Sequence, residues 1–226
     1  MAVILSIETS TGPCSVALHH NGNFIAAAEV HKEYSHASKL APLVKQVVKL
    51  ADVMMSQVDA VAVSSGPGSY TGLRIGTSLA KGICYALDIP LLAVPTLQIM
   101  AYRVSQMNIA DAFLCPMIDA RRMEVYSQVF DYNMEEQEPV QPVIIEAGAF
   151  DNYLAVKPVI FFGNGAMKCS QIIVHKNATF MPGINPSATS LGELAHKKFV
   201  AGDTENLFEF VPHYLKEFFV KRKSEV

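Results

Sequence analysis

The spacing of apolar positions changes period several times along this chain, and each change marks an element. Residues 2–7 form a continuous apolar run, which predicts a short buried strand. Residues 15–19 and 23–30 alternate on either side of Asn21-Gly22, a favoured two-residue hairpin turn, so the chain should open with three antiparallel strands. The period then becomes helical. Leu40, Leu43, Val44, Val47, Val48, Ala51 and Met54 share one face, and Pro42 is compatible with that helix only within its first turn. Residues 58–64 read as a second buried strand, and a helix follows from about Thr71 to Leu87, stopped by Asp88-Ile89-Pro90. Residues 91–94 form another short strand, after which a further strand or a connection is expected.

The second half restarts the same order. Residues 113–118 are an apolar strand, 124–130 alternate, 140–145 continue as strand, and 150–156 predict a short helix. An apolar strand at 159–162 runs into Gly163-Asn164-Gly165, and residues 188–200 form a helix capped by Ser187 or Ser190. The two starts compare directly: Ile4-Leu5-Ser6-Ile7-Glu8-Thr9-Ser10 against Cys115-Pro116-Met117-Ile118-Asp119-Ala120-Arg121. Each is a strand that delivers an acid into a hairpin. The expected fold is therefore a duplicated α/β architecture, with lobes at residues 1–105 and 106–226 and a cleft between them.

Composition narrows the function classes. An apolar share of 50% and a charged share of 17% exclude a disordered chain. A net charge of −3 argues against a stand-alone nucleic-acid binder held by phosphate contacts. Cys14, Cys84, Cys115 and Cys169 contain no CxxC pair, which argues against a zinc ribbon or thioredoxin-type site; three of them lie in apolar contexts and read as core residues, a usage that fits a reducing cytoplasm. The greasy stretch at 83–100 is broken by Asp88, Pro90 and Pro95 and predicts no membrane span, and the apolar N-terminus lacks a leader pattern.

Chemistry concentrates in Ser65-Gly66-Pro67-Gly68-Ser69-Tyr70-Thr71-Gly72-Leu73-Arg74-Ile75-Gly76, between a strand and a helix. No Gly-Lys-Ser/Thr follows, so this is not a Walker A loop, nor is it a dinucleotide fingerprint. From the residues alone it is either a helix start that holds an anion or a tight strand-to-helix elbow. Gly72, Gly76 and Ala80 form a stripe of small residues. They serve internal packing, or, if Leu79, Ile83 and Leu87 supply the core face, they are free for another chain. Glu8, Thr9, Ser10 and Thr11, with Asp119 and Arg121, face the expected cleft. They could organise Mg²⁺ and phosphate, or simply satisfy hairpin backbone while Asp119 pairs with an arginine. Gly163 and Gly165 could admit a purine or just make a turn. His31, Glu33 and His36 have the wrong spacing for a metal site, and no Ser/His/Asp or Cys/His constellation stands out. Lys221-Arg222-Lys223 reads as a solvated tail.

The glycine-rich run resembles the TsaB (YeaZ) family, and the resemblance extends through ILSIETSTGPCSVAL, AKGICYALDIPLLAVPTL and DARRMEVYSQVF. It continues more faintly in FFGNGAMK and in the terminal PHYLKEF, where Lys216 stands in place of the family's usual arginine. That resemblance implies an actin-like (ASKHA) fold of two RNase H-like lobes. It also implies a non-catalytic subunit that pairs with the catalytic paralogue TsaD and recruits the ATPase TsaE. Together these add a threonylcarbamoyl group to the adenosine beside the anticodon of tRNAs reading ANN codons. The implied contact is the pair of helices in the first lobe, through which the family also self-associates. Candidates for it here are Leu40, Leu43, Leu73, Arg74, Gly76, Thr77 and Ala80, with Gly66, Gly68, Gly72 and Gly76 as the structural glycines. On this reading Gly76→Arg should break the pair and leave the fold intact.

The catalytic paralogue's metal-binding HxxxH falls on Thr96 and Met100, a poor ligand set, so no metal is expected on this chain. ATP and metal belong to the partner subunits, and tRNA is met only through the complex. A short second lobe, and Glu8 where ATP-using relatives carry aspartate, leave Glu8, Thr9, Ser10, Asp119, Arg121, Gly163 and Gly165 as a vestigial nucleotide cleft. The rival reading is a stand-alone ATP-dependent kinase of the actin-like fold that uses those same residues.

Overall fold

A computed structural model describes residues 2–32, 36–107, 109 and 111–215. Glu33, Lys216 and the basic run at 221–223 lie outside the described residues. The chain opens with β1 (Val3–Glu8), β2 (Cys14–His20) and β3 (Asn23–Val30), an antiparallel meander turning at Asn21-Gly22, where both residues have positive φ. Helix α1 (His36–Leu50) follows, then β4 (Ala60–Ser64), α2 (Tyr70–Leu87) and β5 (Leu91–Val94). β4 lies parallel to β1 and β5 parallel to β4, so the first sheet has the order β3-β2-β1-β4-β5.

The second half contains α3 (Thr96–Ser105), β6 (Phe113–Asp119), β7 (Glu124–Phe130), β8 (Glu136–Ile144), the one-turn α4 (Asp151–Leu154), β9 (Val159–Phe162), β10 (Ala178–Met181) and α5 (Ala188–Val200). Its sheet runs β10-β9-β6-β7-β8, which is the first order read from the other end: a meander, then two parallel strands on the far side of its first strand. Two mixed sheets of identical topology make this the duplicated actin-like fold, and the acid-tipped strands β1 and β6 are equivalent positions in it.

The helices cross between the sheets. α3 packs on β6 and β7, whereas α5, from late in the chain, packs on the first sheet and on α3. Tyr102 of α3 donates its hydroxyl to Glu193 Oε2 of α5 at 2.8 Å, which pins the two. Beyond α5 the chain continues across the first lobe. Glu205 bridges to Leu91, Phe210 enters the first core, and His213 N–H donates to the Ser65 carbonyl at 2.7 Å.

Several sequence expectations need correction. α1 begins at His36, so Pro42 sits in its second turn rather than its first, on the exposed side, where a missing N–H faces water. The helix ends at Leu50, and Met54 is exposed beyond it rather than on its buried face. β8 starts at Glu136, upstream of the expected 140, because an edge strand tolerates Pro139 and Pro142. α3 and β10 had no counterpart among the expected elements. All four cysteines are free and buried, and burial pushes the Cys84 thiol up to about 11. Among the described residues no helix is long and apolar enough to cross a membrane.

Candidate functional site

The glycine-rich elbow is packed against the end of β1. Ser69 N–H donates to the Ser10 carbonyl at 2.6 Å, and the Ser69 hydroxyl caps α2 by accepting from Gly72 N–H at 3.2 Å. A Cβ at Gly72 would overlap the Thr9 carbonyl oxygen, one at Gly68 the Ser10 carbonyl, and one at Gly76 the Thr9 hydroxyl. The glycines therefore let the first turns of α2 lie directly on the β1–β2 hairpin. At Gly66, with φ +102, the chain also needs the left-handed region.

This packing decides which face of α2 is the core face. Gly72, Leu73, Gly76, Thr77, Ala80 and Cys84 are buried, whereas Leu79, Ile83 and Leu87 are only half-buried. The stripe of small residues is thus used inside the chain and is not a free surface. Leu40 and Leu43 of α1 are buried in the same core. Of the seven residues named for a partner contact only Arg74 is exposed, stacked over the Tyr70 ring at 4.2 Å and donating to the Tyr214 hydroxyl at 3.4 Å. Gly76→Arg would consequently strike Thr9 and disturb the fold itself.

A cleft of about 800 Å³ opens between the lobes, lined by Ser10 to Gly12, by the elbow, by Asp119 to Arg121 and Asn164, and by His213 to Leu215 at its mouth. Glu8 and Thr9 are fully buried behind it rather than facing it. Glu8 Oε1 accepts the Ser10 N–H at 2.6 Å, and burial raises the carboxyl above its ordinary range, opposed by hydrogen bonds from Ser10 and Ser64. Asp119 stands at the cleft but is engaged. Its Oδ1 accepts from Arg121 N–H at 2.8 Å and from the Lys168 ammonium, which also donates to the Arg122 and Glu124 carbonyls at 2.7 Å each. The partner of Asp119 is thus a lysine and not the arginine expected. Lys168, in a single 3-10 turn after β9, carried no local signal beyond its place inside FFGNGAMK.

Gly163 and Gly165 are filled positions as well. A Cβ at Gly163 would overlap the Met117 carbonyl, and one at Gly165 would come 2.9 Å from Asp119 N. Asn164 between them accepts Asp119 N–H at 3.0 Å, so the Gly-Asn-Gly turn clamps β6 to β9. Thr96 and Met100 are fully buried on α3, with Met100 in the core below that turn. His31 pairs with Glu29 at 2.9 Å, and the His36 ring lies 3.1 Å from the Thr11 carbonyl. Among the described residues no group of three metal-ligating side chains converges.

Residues 28–217 match a family model described as TsaD, tRNA N6-adenosine threonylcarbamoyltransferase. The chain is 31% identical over 221 residues to the tRNA threonylcarbamoyladenosine biosynthesis protein TsaB of Bacillus subtilis, covering 94% of this chain and 93% of that protein. The chain belongs to the TsaB (YeaZ) family. The Haemophilus influenzae TsaB is 29% identical over 222 residues, again 94% of this chain and 93% of that protein. A crystal structure of a Pseudomonas aeruginosa protein with similarity to the peptidase YeaZ superposes with a TM-score of 0.85 at 30% identity, covering 96% of this chain and all of that one. Family membership fits the elbow, whose glycines are set by contacts that any larger side chain would break.

Proposed function

We propose that this chain acts in tRNA threonylcarbamoyladenosine biosynthesis as a non-catalytic subunit that pairs with TsaD. The observation that carries the reading is the state of the two acids at the equivalent strand ends. Glu8 is sealed behind the elbow and driven toward its neutral form, and Asp119 is held by Lys168. Neither carboxylate is disposed to position a metal-bound phosphate, which is the first requirement of the rival kinase reading. Arg121, Gly163 and Gly165 then belong to a cleft that has kept its outline for structural reasons, and ATP and metal are supplied by partner subunits.

In this account the contact with TsaD is the outer side of the α1–α2 pair. The buried Leu40, Leu43, Leu73, Gly76, Thr77 and Ala80 set the height of those helices above the sheet, and the exposed Arg74, Ser78 and Tyr85 of α2 present the surface. TsaE joins the assembled pair, and tRNA is met through the complex in the cytoplasm. The test is Ser78→Arg together with Tyr85→Ala, neither of which touches a core contact. Co-elution with TsaD should be lost while the melting temperature stays within about 2 °C of the parent. Retained co-elution would remove α2 from the interface.

A further inference from the structure

We propose that the mouth of the inter-lobe cleft holds a short unpaired stretch of RNA, with Arg121 and Arg122 of the β6–β7 turn on its phosphates. Packing explains the outline of that cleft but not its two arginines. Both have positive φ, +69 and +46, and among the described residues they are the only consecutive non-glycine pair in the left-handed region. The hairpin at Asn21-Gly22 fills two such positions with residues that accept them readily. Arginine gains nothing from that conformation, so its place in this turn calls for another reason.

The two side chains are also uncommitted. Both are exposed, and among the described residues neither guanidinium takes part in a hydrogen bond or an ion pair. The adjacent acid, Asp119, is held by Lys168 and does not neutralise them. Lys168 also donates to the Arg122 and Glu124 carbonyls, which fixes the shape of the turn. Arg121 lines the same cleft as the first turn of α2, whose dipole favours an anion. Thr11 lines it too. That residue is 5% exposed, and among the described residues its hydroxyl has no hydrogen-bond partner.

These groups select the ligand. Two forked cations and an unpaired hydroxyl beside a helix start bind phosphate oxygens directly. A metal-chelated triphosphate fits less well, because Glu8 is sealed away and Asp119 is paired. Tyr214, 37% exposed, and Tyr70 bring aromatic rings to the mouth, on which an unpaired base can stack. A cleft of about 800 Å³ takes such a segment and not a duplex. Phosphate contacts beside stacking rings fit single-stranded nucleic acid better than an acidic peptide. That the strand is RNA rests on the reading of this chain as a subunit for tRNA modification; within that complex the chain touches the RNA itself. A net charge of −3 is no obstacle, because two phosphate contacts are local.

Fluorescence anisotropy with a labelled single-stranded RNA of about eight nucleotides, at low salt, tests this on the chain alone. Arg121→Gly with Arg122→Gly keeps the turn, because glycine accepts positive φ, so the melting temperature should not fall. RNA affinity should drop about tenfold. The slope of log affinity against log salt should become shallower by about 1.4, from two phosphates at about 0.7 each. Tyr214→Leu should weaken binding about fivefold and leave that slope unchanged. Co-elution with TsaD is followed in parallel: the double-glycine variant should retain it, so a failed pairing and a failed RNA contact are told apart. No RNA binding by the parent chain, or unchanged affinity in the double-glycine variant, overturns the proposal. Displacement of the RNA by polyglutamate at equal charge concentration also overturns it, and assigns an acidic peptide instead.

Discussion

Alanine at Gly72 and alanine at Gly82 are the same substitution in the same helix, and the structure gives them opposite signs. Gly82 is exposed, with open space where its Cβ would stand, so alanine there gains helix propensity and restricts the unfolded chain. That is worth about 0.5–1 kcal/mol of added stability. At Gly72 the new methyl would overlap the Thr9 carbonyl oxygen, with the Ser69 Cβ also only 3.3 Å away. Backbone cannot swing aside as a side chain can, so α2 must lift from β1 and disturb the elbow. Overpacking of this kind costs roughly 1–3 kcal/mol, more than the propensity gain recovers so near the helix start.

The net expectation is a loss of about 2 kcal/mol for Gly72→Ala. For a chain of this size that lowers the melting midpoint by about 6 °C, while Gly82→Ala raises it by about 2 °C. Gly76→Ala is the diagnostic intermediate, because its obstacle is the Thr9 hydroxyl rather than backbone. Adding Thr9→Ala should recover part of the Gly76→Ala loss and none of the Gly72→Ala loss, a coupling that a double-mutant cycle measures. Urea unfolding of the six variants, with Thr9→Ala alone completing the cycles, is the assay. Equal stability of Gly72→Ala and Gly82→Ala would refute the close-packed elbow.

Other outcomes follow from buried groups and from the second lobe. Glu8 has a raised carboxyl pKa, so the native state holds its proton more tightly than the unfolded chain. Its contribution is therefore complete below about pH 4.5 and is lost as pH rises through the folded value, and Glu8→Gln should flatten that part of the stability–pH curve. His19 is buried between β2 and α5, against Gly192, and burial lowers its pKa below 6.5, with Glu193 opposing and His196 reinforcing the shift. The sign is reversed: stability is full above about pH 6.5 and falls as pH drops below it, so His19→Leu should lose this slope in urea titrations between pH 5 and 7. Lys168→Met removes the donor shared by Asp119, Arg122 and Glu124. It should cost about 1 kcal/mol and speed amide exchange in the β6–β7 turn, leaving first-lobe amides unchanged.

Local rules carried most of the first lobe. The alternation around Asn21-Gly22 specified a hairpin, the 3.6 period from Leu40 specified α1, and Asp88-Ile89-Pro90 marked the end of α2. The repeated acid-tipped strand exposed the duplication, because equivalent strands in the two halves keep the same apolar run and the same turn. α3 escaped notice because both sheets and α5 surround it. With Leu97, Ile99, Met100, Ala101 and Val104 all buried, an apolar helix shows little periodicity. β10 is too short to announce itself.

The candidate site was legible in membership and not in orientation. Sequence brought Glu8, Asp119, the glycines and the hydroxyls to one region, but not that Glu8 lies behind the elbow or that Lys168 reaches Asp119. Both depend on contacts between residues far apart in the chain. The stripe of Gly72, Gly76 and Ala80 shows the limit most clearly. Small residues on a helix signal close approach, and only the fold says whether the thing approached is another chain or the end of β1.

The central claim, that this chain works by pairing with TsaD, is tested most directly by light scattering after size exclusion of the two proteins mixed at equal concentration without nucleotide. The account predicts a single species with the mass of a complex containing both chains, and no measurable ATP turnover by this chain alone. Two separate peaks that persist when ATP and TsaE are added would contradict it.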